Sequence, residues 1–300
     1  MSLYNKICLA VLVCLLSMPS VFAGSLVQAS IQPLQLITAE LTEGITESPA
    51  ALLPAGKTIH DFSLKLSDAK RVKDADLLVW LGPVTEPYLQ TMASQKEARR
   101  VMDVSALPGI NHLPLRYVGE KSGHHHGDWD PHLWLSIDNA QVIAEALAEK
   151  LSQLDAAHSE RYKKNLFGFK TSLASLEPYR KRFAQQKAAY VVHHDAYQYL
   201  ENYLGLKPLA VVTSEPEISP GVRHLIEVTQ LIERERVSCF VASPLLPPKI
   251  VPVLFKGRDP ATFQVIVLDE MAGTASTRYS DFMKHMLDEF SQCVSAHPAG

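Results

Sequence analysis

The chain has 300 residues, enough for two lobes of ordinary size. Charged residues make up 20% of it and hydrophobic residues 47%, which is an ordinary globular balance. The formal net charge is −3 and no polybasic segment is present, so composition argues against binding to nucleic acid or to anionic lipid.

The first 23 residues have the pattern of a cleaved secretory signal peptide. Lys6 is the only charge there, an apolar run covers residues 7–16, and the small residue Ala23 precedes Gly24. The run is too short to span a bilayer comfortably, so an uncleaved N-terminal anchor is the less favoured interpretation. The segment predicts an exported protein.

Apolar runs predict seven strands, and segments with helical periodicity separate them. The predicted strands cover residues 26–31, 51–53, 75–81, 188–192, 209–212, 237–241 and 263–268. Helices are expected over 63–73 and 139–154. Near-continuous apolar strands are typical of parallel sheets that are buried on both faces.

A long amphipathic helix is predicted in the middle of the chain. Large apolar residues recur there at steps of three and four over 22 residues, from Tyr162 to Phe183, and Pro178 is expected to kink the helix near its end. Alternating strands and helices on both sides of it predict an α/β fold with two lobes. The predicted division is residues 24–155 for the N-terminal lobe, 156–186 for the linking helix and 187–300 for the C-terminal lobe.

Two cysteines remain after removal of the signal peptide, Cys239 and Cys293. An even number in an oxidising compartment suggests one disulfide bond, and two buried free thiols are the alternative.

Three histidines and one aspartate lie where predicted strands end or helices begin. His60 follows the strand at 51–53, His194 closes the run at 191–194, and Asp269 follows the last strand. His132 lies in the loop before the helix at 139–154. Ligands of open α/β sheets bind at the carboxyl ends of strands, so these side chains are expected to meet between the lobes. Three imidazoles and one oxygen form a tetrahedral set that favours Zn²⁺ over Mn²⁺.

The chain resembles the metal-binding solute-binding proteins of ABC importers, of the ZnuA type. The resemblance runs from about residue 27 to 293 and rests on several ordered motifs, which lie at 29–34, 60–68, 75–82, 130–136, 194–197, 216–221 and 268–269. It implies that His60, His132 and His194 are the metal ligands and that a rigid helix joins the lobes. It also implies periplasmic capture of zinc for an inner-membrane ABC permease by a monomer, with no catalysis. A periplasmic zinc chaperone stays open as a further partner.

Two departures from the family pattern leave the fourth ligand open. Ile59 stands where zinc-type members often have a carboxylate, and residues 242–244 lack an acidic residue that is common there. Asp269 and a water molecule are the two candidates. The loop with His124 to His126 is short, and an outer zinc trap and a solvated loop are equally open interpretations.

Neighbouring polar residues have ordinary structural interpretations. Strand alternation points His193 and His194 to opposite faces. The resemblance selects His194 as the ligand, so His193 is expected to be structural. Asp195 is expected to cap a helix with Gln198, although it could instead orient His194. Asp130 is interpreted as a turn former and Glu217 as part of a loop scaffold.

Two other functions stay open. One is a manganese-binding or adhesin-like member of the same fold, which the three-histidine set argues against. The other is a zinc-dependent hydrolase, for which no catalytic motif is found in the sequence.

Overall fold

The computed structural model describes residues 26–60, 62–116, 127–183, 188–273 and 276–295. The predicted signal peptide and the segment with His124 to His126 lie outside these residues. No helix within the described ranges is both long and apolar enough to cross a membrane.

The described strands form two parallel sheets, one in each half of the chain. The strands are β1 (Val27–Ala29), β2 (Leu77–Trp80), β3 (Val101–Asp103), β4 (Tyr190–His194), β5 (Ala210–Thr213), β6 (Cys239–Ala242) and β7 (Gln264–Val267). The first sheet has the order β1-β2-β3 and the second has the order β5-β4-β6-β7. All adjacent pairs are parallel, which confirms the predicted α/β class.

Helices separate and follow these strands. They are α1 (Gln32–Thr42), α2 (Leu66–Asp74), α3 (Gln90–Ser94), α4 (Ile137–Leu154), α5 (Ser159–Ala174), α6 (Glu177–Phe183), α7 (Gln198–Leu204), α8 (Val222–Arg234), α9 (Ile250–Leu254) and α10 (Tyr279–Ser295). Short 3₁₀ turns lie at Pro87–Leu89, Ala98–Arg100, Leu133–Leu135, Ala156–His158 and Pro260–Thr262.

Both sheets are covered on both faces, as the apolar runs predict. In β2, Leu77 and Val79 join the main core, whereas Leu78 and Trp80 pack in a separate apolar cluster. The main core continues from the first sheet into the second, where it includes Val192. The two lobes therefore share one hydrophobic core, which holds the carboxyl ends of their sheets in a fixed relation.

The predicted segment 51–53 is not a strand. Leu52 N and Leu53 N donate to the carbonyls of Ala29 and Ser30, at 3.1 and 2.8 Å, so the segment lies beside the end of β1. Pro54 follows and has no N–H, so the hydrogen-bonded ladder cannot continue. Strand β3 was not predicted, because a strand of three residues, of which only Met102 is buried, is too short to give an apolar pattern.

The middle of the chain contains two helices rather than one. Helix α5 ends at Ala174 and α6 begins at Glu177. Pro178 cannot donate a hydrogen bond to Ala174, but it is tolerated in the first turn of a new helix. The predicted apolar face is nevertheless buried, at Tyr162, Phe169, Leu173, Leu176 and Phe183.

The predicted disulfide bond is present. It joins Cys239 in β6 to Cys293 in α10, across a sequence separation of 54 residues.

Candidate metal centre

Three histidines from distant parts of the chain meet at the carboxyl ends of the two sheets. His194 is the last residue of β4, which is a central strand of the second sheet. His132 immediately precedes the 3₁₀ turn Leu133–Leu135, and His60 lies in the irregular segment before α2. The sequence predicted that these three residues would meet.

The three rings are close enough to share one ion. One ring nitrogen of each lies within 4.8 Å of the other two. The ring centroids are 5.1 Å apart for His132 and His194, 5.4 Å for His60 and His194, and 5.8 Å for His60 and His132. A tetrahedral zinc ion with Zn–N bonds of 2.0–2.1 Å holds its nitrogens about 3.3 Å apart, so the rings would draw together around it.

The burial of His194 fits a metal ligand better than a core residue. Its side chain is fully buried, and neither ring nitrogen has a hydrogen-bond partner among the described residues. A buried polar atom without a partner costs about 1–3 kcal/mol. A metal ion held between the three rings would remove that cost for one nitrogen.

Asp130 orients His132. Its Oδ1 atom lies 2.8 Å from Nδ1 of His132 and also accepts a 2.9 Å hydrogen bond from the backbone N of His132. The hydrogen bond from the backbone N forms the turn that the sequence predicted. The contact with Nδ1 also fixes the imidazole ring and leaves Nε2 as the ligand atom. Burial lowers the pKa of His132, but the charge and hydrogen bond of Asp130 outweigh it and raise that pKa above its usual value.

Glu270 is an acidic residue that faces His194, and it was not among the ligands predicted from the sequence. Its Oε1 atom lies 3.5 Å from Nδ1 of His194, and its side chain is almost fully buried. Its Oε2 atom is buried without a hydrogen-bond partner among the described residues. Burial raises the pKa of Glu270, but interaction with His194 and the charge of His132 lower it overall. The side chain therefore presents a carboxylate to the site.

Asp269 lies beside this cluster but is not one of its members. Its Oδ1 atom accepts a 2.9 Å hydrogen bond from the backbone N of Met271, and its Oδ2 atom lies against Gly273. Burial raises the pKa of Asp269, and the charge of Glu270 raises it further. The role of Asp269 as fourth ligand stays a prediction. The position of Glu270 beside His194 makes it a second acidic candidate for that ligand.

Asp195 does not cap a helix, so that expectation was wrong. Helix α7 begins at Gln198 with no side-chain capping bond. Asp195 instead forms an ion pair with Arg116, which also binds Glu201 at 2.7 Å. Arg116 and Asp195 are 79 positions apart in the sequence, so the local capping pattern could not predict their ion pair.

His193 has the structural role that was expected once the resemblance selected His194. It is buried and its Nδ1 atom lies 2.9 Å from Oγ of Ser243. Burial lowers its pKa to about 4, and the neighbouring His194 adds to this effect. His193 therefore stays neutral at neutral pH and takes no part in the cluster.

A family model described as the periplasmic component A of the zinc-uptake complex, ZnuA, matches residues 27–293. The chain belongs to the ZnuA family. The match covers both sheets and all the residues of the site, so the predicted resemblance is confirmed. Members of this family are components of a transport system.

Named ZnuA proteins match nearly the whole chain. The high-affinity zinc uptake system protein ZnuA of Yersinia pestis is 30% identical over 93% of this chain and 94% of its own. The protein of the same name from Haemophilus ducreyi is 30% identical over 91% and 94%.

Three solved structures have a fold similar to that of this chain. The laminin-binding protein of Streptococcus agalactiae, described as having adhesin and metal-transporting activity, has a TM-score of 0.73 at 25% identity, over 90% of this chain and 99% of its own. A ZnuA crystal structure has a TM-score of 0.75 at 18% identity, over the same shares. A Mn²⁺-bound solute-binding protein of Pseudomonas aeruginosa, FpvC, has a TM-score of 0.74 at 20% identity, over 90% and 98%.

Proposed function

We propose that this protein captures Zn²⁺ in the periplasm and delivers it to an ABC-type importer of the inner membrane. The observation that carries the proposal is the group of three imidazole nitrogens, all within 4.8 Å of one another, at the junction of the two sheets. Zinc is the cargo here, and the chain needs no other cofactor for this role.

The ligand set supports zinc rather than manganese. His60, His132 and His194 supply three nitrogen ligands, and imidazole suits Zn²⁺, whereas Mn²⁺ prefers carboxylate, carbonyl and water oxygens. The fold does not decide the metal, because structural relatives include a Mn²⁺ complex and an adhesin. An adhesin-like role would need a partner surface, and no observation of the described residues favours one.

We propose Glu270 as the fourth ligand, ahead of water and of Asp269. Its carboxylate is buried beside His194 and has an unpartnered oxygen, whereas one oxygen of Asp269 already binds the backbone of Met271. Charge also favours it. Zn²⁺ with three neutral imidazoles carries +2, and the carboxylates of Glu270 and Asp130 reduce that sum to zero. A neutral assembly lowers the cost of burying the ion.

A hydrolase is the weaker interpretation of the same residues, and we propose that the chain is not an enzyme. His132 and His194 are 2% and 0% exposed, so the site can hold a bare ion but offers an organic substrate little access. A catalytic zinc needs an open coordination position and a general base. Glu270 would fill that position.

Titration of the metal-free, exported protein with Zn²⁺ and with Mn²⁺ tests the function. We expect one tight zinc site and an affinity for zinc on the order of a hundredfold or more above that for manganese. Tighter binding of Mn²⁺ would support the manganese alternative. Turnover of an ester substrate by the zinc-loaded protein would support the hydrolase.

The role in delivery is tested with the permease of the same importer. Zinc-loaded protein should stimulate the ATPase of that permease in vesicles, and metal-free protein should stimulate it less. The protein should sediment as a monomer with and without zinc.

A further inference from the structure

Thr58 and Glu217 are joined by a hydrogen bond from one half of the chain to the other. The hydroxyl of Thr58 donates to Oε1 of Glu217, 159 positions away in the sequence. Thr58 is buried, whereas Glu217 is exposed. The contact therefore lies at the surface, at the edge where the two lobes meet.

The Thr58 side of this contact carries one of the three histidines. Thr58 precedes His60 by two residues, within an irregular segment that follows Pro54. His60 is half-buried, whereas His132 and His194 are buried. His60 is therefore the histidine nearest to solvent, and its position depends on a loop rather than on a strand or helix.

The Glu217 side is attached to the strand next to His194. Thr213, the last residue of β5, is paired with His194 in the register of the second sheet. Its hydroxyl lies within hydrogen-bond distance of the carbonyls of Glu215 and Ile218, with Oγ1 at 2.8 and 3.2 Å from their oxygens. These bonds fold residues 215–218 back onto the end of the strand. Glu217 is therefore held in a fixed place relative to His194.

We propose that the hydrogen bond between Thr58 and Glu217 is a latch that keeps His60 against His132 and His194 and limits the rate of zinc release. This inference rests on the proposed zinc binding. With the latch broken, the loop at 54–60 can carry His60 outward, and the ion then loses one ligand. The path of release opens on the side of the more exposed histidine.

Four variants and one control separate the latch from the charge of Glu217. Thr58→Val removes the donor and keeps the charge. Glu217→Gln removes the charge and keeps an amide oxygen as acceptor. Glu217→Ala removes both, and Glu217→Ala is also combined with Thr58→Val. Glu215→Ala is the matched control, since it removes a carboxylate from the same segment without touching Thr58.

Zinc release from each loaded protein is followed by stopped flow with an excess of a chromogenic chelator. The free energy of a hydrogen bond to a carboxylate corresponds to a factor of about ten in a rate or equilibrium constant. Thr58→Val and Glu217→Ala should therefore each release zinc about tenfold faster than wild type. Glu217→Gln should be intermediate, and the double variant should match the single variants because they remove the same bond. Glu215→Ala should resemble wild type.

Two results would overturn the latch. The first is zinc release from Thr58→Val at the wild-type rate. The second is a double variant whose fold-increase in release rate equals the product of the fold-increases of the two single variants. Hydrogen exchange of residues 54–60 in the metal-free protein tests the same bond without zinc. Faster exchange in Thr58→Val and Glu217→Ala is expected, and unchanged exchange contradicts the latch. A wild-type protein that binds no zinc would instead refute the proposed function.

Discussion

The indole Nε1 atom of Trp134 donates a 2.7 Å hydrogen bond to the backbone carbonyl of Glu270. Trp134 lies two residues after His132 and is fully buried. The turn that carries one histidine of the first half is therefore bonded directly to the residue whose carboxylate faces His194. This buried contact between the two halves of the site helps to keep Glu270 beside the cluster.

The fourth ligand is tested by two matched substitutions of neighbouring acids. Glu270→Gln should weaken zinc binding by about tenfold to a hundredfold, because it removes a charge and a ligand oxygen from a buried ion. Asp269→Asn should change the affinity much less, since that side chain already bonds to the backbone of Met271. Zinc titrations of both variants against wild type provide the comparison, and the opposite ranking would assign the fourth position to Asp269.

Asp130→Asn should weaken zinc binding without removing a ligand. The amide can still accept the backbone bond of His132, but it carries no charge to hold the Nδ1–H tautomer. Loss of a carboxylate that orients a histidine ligand typically costs tenfold to a hundredfold in metal affinity. Asp138→Asn, in the first turn of α4, is the control. Equal affinities of Asp130→Asn and wild type would show that Asp130 is only a turn former.

Zinc affinity should fall as the pH falls, because protons compete with the metal for ring nitrogens. The pKa of His132 is raised above its usual value, so its protonated form persists to a higher pH than that of an ordinary histidine. Loss of affinity should therefore begin above about 6.5, the usual histidine pKa. Competition titrations at a series of pH values measure it. An affinity that stays constant down to about pH 5.5 would be inconsistent with three histidine ligands.

Much of this site could be predicted from the sequence, and the remainder could not for identifiable reasons. His60, His132 and His194 stand out because they lie in loops or at the end of an apolar run, and in recognisable motifs. Glu270 does not, since it directly follows Asp269 and no pattern shows which of two adjacent carboxylates faces inward. The latch depends on a contact between Thr58 and Glu217, which are 159 positions apart, and hydrophobic periodicity predicts no contact of this kind.

The errors in the predicted fold have a common origin in local patterns. Residues 51–53 are apolar like a strand, yet Pro54 prevents the ladder from continuing. The spacing of Asp195 and Gln198 matches a capping pair, but the ion pair with Arg116 takes the carboxylate. In each case a neighbour that the local pattern ignores decided the structure.

The disulfide bond should contribute to stability but not to zinc binding. Replacing Cys239 and Cys293 by serine should lower the free energy of unfolding by about 4 kcal/mol, the chain-entropy value for a loop of this size. Both residues lie away from the histidines, in β6 and α10, so the zinc affinity should be unchanged. Urea unfolding of the double variant, with reduced wild type as control, measures the difference. A loss below about 1 kcal/mol would show that the bridge adds little.

The most direct test of the three-histidine site is the zinc affinity of His60→Ala, His132→Ala and His194→Ala, measured by chelator competition. Deletion of residues 124–126 is the control, because it removes three histidines that we do not propose as ligands of the tight site. We predict that each single substitution weakens binding by at least about a hundredfold, since it removes a ligand from a buried ion, and that the deletion leaves the tight site intact. Wild-type affinity in all three single variants, or loss of the tight site on deletion of 124–126, would contradict the assignment.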